Sequence, residues 1–176
     1  MSRRGGNDGP LPAHLSCQAL VLGVGNRFFG DDGFGPRVVE RLLAEGGLPE
    51  GVCAIDAGTG AARILFDVAV SERRPKLLVI CDAVDLPDHS PGEVFEVAPS
   101  GLPANKRDDF SLHQLPGADL LADLTRGGCR VRIVACQVKH IPAEMSEGLT
   151  SEVEAALSAG AALVRAILMQ ATLPRP

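Results

Sequence analysis

The chain has 176 residues, a formal net charge of −5 and a hydrophobic share of 45%, values that are typical of one folded domain. The acidic balance and the aromatic share of 3% argue against a protein that binds nucleic-acid phosphates or stacks on bases. We therefore expect no nucleic-acid partner.

The N-terminal residues contain Arg3 and Arg4 but no apolar stretch behind them, so they do not resemble a secretory signal. We predict a flexible leader over residues 1–15, one domain over residues 16–172 and a short tail over residues 173–176. Charged and polar residues interrupt the most apolar C-terminal run, and we expect no membrane partner.

The five cysteines are odd in number and form no CxxC pair. Most of them lie in or beside apolar runs with strand character, which favours buried free thiols over disulfides or a zinc site. Free thiols are typical of a reducing compartment, and we expect the protein to be cytoplasmic.

Apolar runs that suit strands alternate with segments of helical periodicity along the chain. The predicted strands are Gln18–Gly25, Gly51–Ala57, Lys76–Val84, Gly92–Ala98 and Val131–Val138. The predicted helices are Gly35–Leu48, Gly60–Val70, His113–Leu124 and Thr150–Ala171, with Thr150 as the N-cap of the last. This order predicts an α/β fold with a mixed, mostly parallel five-stranded sheet and helices on both faces. The alternating polarity of the fourth strand suits an edge strand that runs antiparallel.

Ligands of such sheets bind at the carboxyl ends of the strands, so polar residues that follow each strand are candidate site residues. Asp31 and Asp32 follow the first strand, between Gly30 and Gly33. Acidic residues at this position also serve as helix caps, and capping and metal binding could be divided between the two. A dinucleotide-binding loop would need glycine where Phe28 stands, and the acidic pair would repel a pyrophosphate.

Asp82 lies inside the most apolar predicted strand, where an unpaired carboxylate is costly, so it needs a partner. It either bonds to the local backbone or binds a metal. His113 opens the predicted helix behind the irregular loop Pro99–Leu112, and His140 follows the last strand. Each could be a surface histidine or a ligand. Two carboxylates and one imidazole would suit a borderline divalent ion such as nickel or zinc.

Six segments, in this order, resemble the [NiFe]-hydrogenase maturation proteases. They are GVGNRFFGDDGFGPRVVERL (Gly23–Leu42), IDAGTG (Ile55–Gly60), VICDAVD (Val79–Asp85), PGEVFEV (Pro91–Val97), SLHQL (Ser111–Leu115) and GLTSEVEAAL (Gly148–Leu157). The resemblance implies a twisted five-stranded sheet between helices. It also implies an aspartic-type endopeptidase that removes the C-terminal extension of an immature hydrogenase large subunit after nickel insertion.

By motif position, the resemblance implies that Asp32, Asp82 and His113 contact nickel that the substrate supplies, and that Asp32 and Asp82 are catalytic. The first-loop ligand of the family is often Glu, so the assignment between Asp31 and Asp32 stays open here. The substrate contacts that we expect from the same motifs are Gly23, Asn26, Asp31, Asp56 and Gly58. Asp56 could instead hold a turn.

The loop Pro99–Leu112 and the segment Gln137–Gly148 are further candidates for contacts with the large subunit. Two other functions remain open at this point. One is an accessory protein that binds nickel or the hydrogenase without cleaving it, and the other, which the acidic pair opposes, is a nucleotide-binding α/β enzyme.

Overall fold

The predicted alternation of strands and helices is present in the computed structural model, which describes residues 12–98 and 118–172. The elements in chain order are α1 (Ala13–Ser16), β1 (Ala19–Val24), a 3-10 turn (Gly30–Gly33), α2 (Phe34–Glu45), β2 (Val52–Gly58), α3 (Ala61–Val70), β3 (Leu77–Val84), β4 (Val94–Val97), α4 (Ala118–Arg126), β5 (Arg130–Gln137) and α5 (Ser151–Thr172).

The strands form one sheet in the order β2-β1-β3-β5-β4. The pairs β1–β2, β1–β3 and β3–β5 are parallel, and β4 pairs with β5 antiparallel at the edge. The prediction of a mixed, mostly parallel five-stranded sheet is confirmed, and so is the antiparallel edge strand.

Helices cover both faces because successive side chains of a strand point to opposite sides. In β3, Val79 and Cys81 belong to a core shared with α2 and α5. Leu78 and Ile80 belong to a second core shared with α3 and α4. The central strands β1 and β3 are fully buried, which explains why their sequences are apolar at nearly every position.

The observed boundaries differ slightly from the predicted ones. The helix predicted over Gly35–Leu48 ends at Glu45, because Gly46 and Gly47 adopt left-handed φ angles of 67° and 70° that end the helix. The helix predicted over His113–Leu124 corresponds to α4, and the structure describes it from Ala118 to Arg126. The predicted leader up to residue 11, the loop over 99–112 and the tail over 173–176 lie outside the described residues.

Candidate active site

The carboxyl end of β1 lies at a point where the connections of the chain diverge. From β1 the chain passes through α2 to β2 on one side, whereas β3 lies on the other side of β1. Side chains that follow β1 therefore meet side chains at the end of β3, in the crevice where ligands of such sheets bind. Asp32 follows β1 and Asp82 belongs to the end of β3, so the fold brings both to this crevice.

Asp32 lies in the 3-10 turn and is 7% exposed. Its Oδ2 accepts a hydrogen bond from the backbone N–H of Asn26 at 2.7 Å. Its Oδ1 is buried and has no hydrogen-bond partner among the described residues. Burial raises the pKa of the Asp32 carboxyl, although the Asn26 bond partly offsets this effect.

Asp82 is completely buried, and it lies on the α3 and α4 side of the sheet because its neighbours Cys81 and Ala83 face the opposite core. Its Oδ1 accepts a hydrogen bond from the backbone N–H of Ala83 at 2.8 Å. Its Oδ2 has no partner in the described part of the chain. Burial and the charge of Asp32 raise the pKa of Asp82 well above its usual range.

Asp32 and Asp82 thus form a pair of buried carboxylates that repel each other and that each retain one unpartnered oxygen. No cation from the described residues pairs with either group. Such a pair is costly unless it shares a proton or binds a cation. The donor set suits a divalent metal ion, although residues 12–98 and 118–172 contain no group of three or more potential metal ligands.

The neighbouring Asp31 differs completely from Asp32, because its carboxylate is saturated by internal hydrogen bonds. Oδ2 accepts bonds from the N–H groups of Lys139 and His140 at 2.9 and 3.0 Å, and from the Thr150 hydroxyl at 3.0 Å. Oδ1 accepts the Thr150 N–H at 2.7 Å. Asp31 therefore fastens the loop after β1 to the segment before α5, and its predicted substrate contact stays a prediction.

The predicted substrate-contact residues Asn26, Asp56 and Gly58 lie at the same edge of the sheet. The Asn26 side chain accepts a hydrogen bond from the N–H of Phe28, which closes a tight turn. Gly58 ends β2, and its carbonyl accepts the N–H of Gly25 at 3.3 Å. Their contact with substrate stays a prediction.

Gly23 lies apart from these residues, buried within β1. A Cβ atom at Gly23 would lie 2.5 Å from the carbonyl oxygen of Gly35, so this glycine permits the close approach of α2 to the sheet. The same close packing requires Gly35 itself to lack a side chain.

Arg27 is a site residue that the sequence analysis missed. Its guanidinium forms an ion pair with Asp56 at 2.9 Å and another with Glu40 of α2 at 2.8 Å. It also donates to the carbonyl of Pro36. Asp56 is therefore engaged with Arg27, and both predicted alternatives for it, substrate contact and turn holding, stay predictions. No local pattern around Arg27 indicates partners so distant in sequence.

His113, the third predicted metal ligand, lies outside the described residues, as does the charged centre of the loop before it. His140 lies at the predicted edge, but its side chain is exposed and its backbone binds Asp31. The last helix begins at Ser151, so Thr150 directly precedes it as predicted.

All five cysteines are free, and four of them are buried, as the sequence analysis predicted. Burial is the main cause of the raised pKa of the buried thiols, which is about 12 for Cys17 and Cys136 and about 11 for Cys129. Within the described ranges, none of the helices has the length and apolar character needed to cross a bilayer.

Comparison with known proteins agrees with this architecture. The family model described as "HycI: Hydrogenase maturation protease" matches residues 36–167. The hydrogenase 2 maturation protease of Escherichia coli is 33% identical over 152 residues, which cover 86% of this chain and 90% of the relative. The coenzyme F420 hydrogenase subunit delta of Methanothermobacter thermautotrophicus is 31% identical over 145 residues, which cover 80% and 88% respectively.

The solved structure of the hydrogenase maturating endopeptidase HybD from E. coli has a TM-score of 0.67 and 31% sequence identity to this chain. The superposition covers 88% of this chain and 94% of HybD. The family model spans most of the chain and includes Asp82 of β3, whereas Asp32 lies just before the matched residues. This chain belongs to the hydrogenase maturation protease family and is a maturation endopeptidase.

Proposed function

We propose that this chain removes the C-terminal extension of an immature [NiFe]-hydrogenase large subunit after nickel has been inserted. Nickel belongs to the substrate in this proposal, and Asp32, Asp82 and His113 contact it. The free thiols of the described residues also support cleavage in the cytoplasm, where such thiols stay reduced.

The observation that carries the proposal is the pair of unpartnered carboxylate oxygens on Asp32 and Asp82. Two buried carboxylates that repel each other are stable when they share a proton or when a cation lies between them. A divalent cation carried by the substrate would neutralise both groups and offset the cost of their burial. Binding of the substrate would then depend on whether nickel is present in it.

When bound, nickel supplies a Lewis acid next to the scissile peptide bond. The protein's own contribution is to orient the carboxylates and to shield them from bulk solvent. A carboxylate of the pair that is ionised when the cation binds can accept a proton from an attacking water, and the raised pKa that burial gives both groups makes it a stronger base. The raised pKa of the buried thiols argues against a cysteine nucleophile.

The test measures the intact mass of the immature large subunit, with and without nickel, after it is mixed with this protein. We expect loss of a C-terminal peptide from the nickel-loaded form alone. Asp32→Asn and Asp82→Asn should abolish the cut, because each replaces a charged oxygen donor at nearly constant shape. Asp88→Asn is the matched control, because Asp88 is exposed beyond the end of β3 and its φ of 73° suits asparagine.

The result also separates the alternative functions. Cleavage of the nickel-free subunit at the same rate would contradict the nickel requirement. Binding of the loaded subunit without any cut would favour the accessory protein that the sequence analysis left open.

A further inference from the structure

Two large apolar side chains are exposed beside the candidate active site. Phe28 is 47% exposed in the loop after β1, and Met145 is 70% exposed in the segment between β5 and α5. The other large exposed apolar residues among the described ones lie on helices: Leu43, Phe66, Val70 and Met169. Phe28 and Met145 thus differ from the rest in lying on loops at the edge that carries Asp32.

Backbone pairing places Phe28 and Met145 side by side. Phe29 and Ser146 form an isolated parallel bridge. The N–H of Ser146 donates to the carbonyl of Phe28 at 2.8 Å, and the N–H of Gly30 donates to the carbonyl of Ser146 at 2.9 Å. The bond from Ser146 to the Phe28 carbonyl brings the backbone of Phe28 next to the Met145–Ser146 peptide, so the two exposed side chains start from neighbouring points of the surface.

Hydrogen bonds and close packing hold these two loops together next to the turn that carries Asp32. The four hydrogen bonds to Asp31 come from residues on both sides of Ser146 in the chain, and they fasten the two segments together. A Cβ atom on Gly30 would lie only 2.8 Å from Cδ of Pro142, so the loops are in close contact there. The N–H of Asp32 donates to the carbonyl of Phe29 at 3.2 Å, which connects the bridge directly to the 3-10 turn that carries Asp32.

We propose that Phe28 and Met145 form an apolar contact for the substrate polypeptide next to the bond that is cut, and so help to determine specificity. This inference rests on the proposed function and deepens it. An endopeptidase must hold a stretch of polypeptide on both sides of its reacting groups. Two exposed apolar side chains on a rigid platform gain free energy when an apolar side chain of that polypeptide covers them.

The test compares the cleavage kinetics of Phe28→Ala, Met145→Ala and the double variant on the nickel-loaded large subunit. We expect KM to rise about tenfold in each single variant and further in the double variant, with kcat little changed, because the lost contact is made equally before and during the reaction. Phe28→Leu should restore most of the affinity, since it restores apolar area.

Phe66→Ala is the matched control, because Phe66 is 58% exposed but lies on α3, away from the bridge. It should leave KM and kcat at their wild-type values. Thermal unfolding of all variants should be close to wild type, because the substituted side chains are exposed.

The inference is overturned if wild-type protein cleaves the subunit and the Phe28 and Met145 variants behave like Phe66→Ala. A fall in kcat at unchanged KM would also contradict it, because that result assigns the pair to the chemical step. If wild-type protein neither cleaves nor binds the loaded subunit, the proposed function fails, and this inference fails with it.

Discussion

Thr150 donates two hydrogen bonds to the buried carboxylate of Asp31, one from its backbone N–H at 2.7 Å and one from its hydroxyl at 3.0 Å. The two residues are 119 positions apart in the chain. The N-cap position of the last helix is thereby fastened to the loop that carries Asp32. The carboxylate that fastens the two segments and the carboxylate that keeps an unpartnered oxygen are adjacent in sequence.

Asp31→Asn should lower stability strongly, because an amide presents a donor where the carboxylate accepts bonds from backbone N–H groups. We expect a loss of about 3 kcal/mol in the free energy of unfolding, measured by urea denaturation at pH 7. Asp32→Asn is the matched variant and should change stability by less than about 1 kcal/mol, because its amide oxygen can still accept the Asn26 N–H. Equal losses in the two variants would contradict this division of roles.

The stability of the metal-free protein should depend on pH through Asp82. Its pKa in the folded protein lies above the unfolded value of about 3.9, so the folded state keeps a proton that the unfolded state releases. This contribution is fully present below the unfolded pKa and is lost as pH rises through the folded pKa. Asp32 shifts in the same direction.

Asp82→Asn should therefore flatten the pH dependence and gain stability relative to wild type as pH rises. The gain is at most about 1.4 kcal/mol per pH unit for one proton. Urea unfolding between pH 5 and pH 8 measures it, with Asp88→Asn as the exposed control. A constant difference between wild type and Asp82→Asn at every pH would show that Asp82 does not titrate anomalously.

Gly35→Ala should destabilise the fold, because the added methyl group would collide with backbone atoms on both central strands. It would lie 2.2 Å from the carbonyl oxygen of Cys81 and 2.4 Å from that of Val24. We expect a loss of about 2–4 kcal/mol or failure to fold. Gly60→Ala is the control, since its methyl group meets only one backbone oxygen, at 3.3 Å, and should cost less than about 1 kcal/mol.

Alkylation of cysteines should leave cleavage intact. Burial raises the pKa of Cys129 to about 11 and that of Cys136 to about 12, so few thiolates exist at pH 8. We expect iodoacetamide to modify these thiols at least about 100-fold more slowly in the native protein than in urea. Mass spectrometry can compare labelling with residual activity. Loss of activity in proportion to labelling of any buried cysteine would contradict the carboxylate mechanism.

Much of the architecture could be predicted from local patterns. The uninterrupted apolar runs around Leu22 and Ile80 indicated buried parallel strands, and the alternation near Phe95 indicated an edge strand. These patterns depend on whether helices cover one or both faces of a strand. A strand that is buried on both faces is apolar at nearly every position, whereas one that is buried on a single face alternates apolar and polar residues. The motif order then pointed to the correct family.

The observed element boundaries agreed less closely with the predicted ones, because the end of a helix depends on the backbone angles of single residues. The left-handed glycines Gly46 and Gly47 shorten the second helix by a few residues relative to the prediction. Apolar periodicity continues through Leu48 and does not report this change of direction.

By itself, the sequence determined the fold class and the family, and it predicted the edge of the sheet at which Asp32 and Asp82 lie. Only the tertiary structure decided which of Asp31 and Asp32 has a free oxygen, and that Arg27 engages Asp56. The reason is physical: adjacent aspartates are identical as sequence signals, whereas their hydrogen-bond donors come from Asn26 in one case and from Lys139, His140 and Thr150 in the other. Contacts across more than a hundred residues arise from the packing of α5 and its preceding segment against the sheet, which local periodicity does not encode.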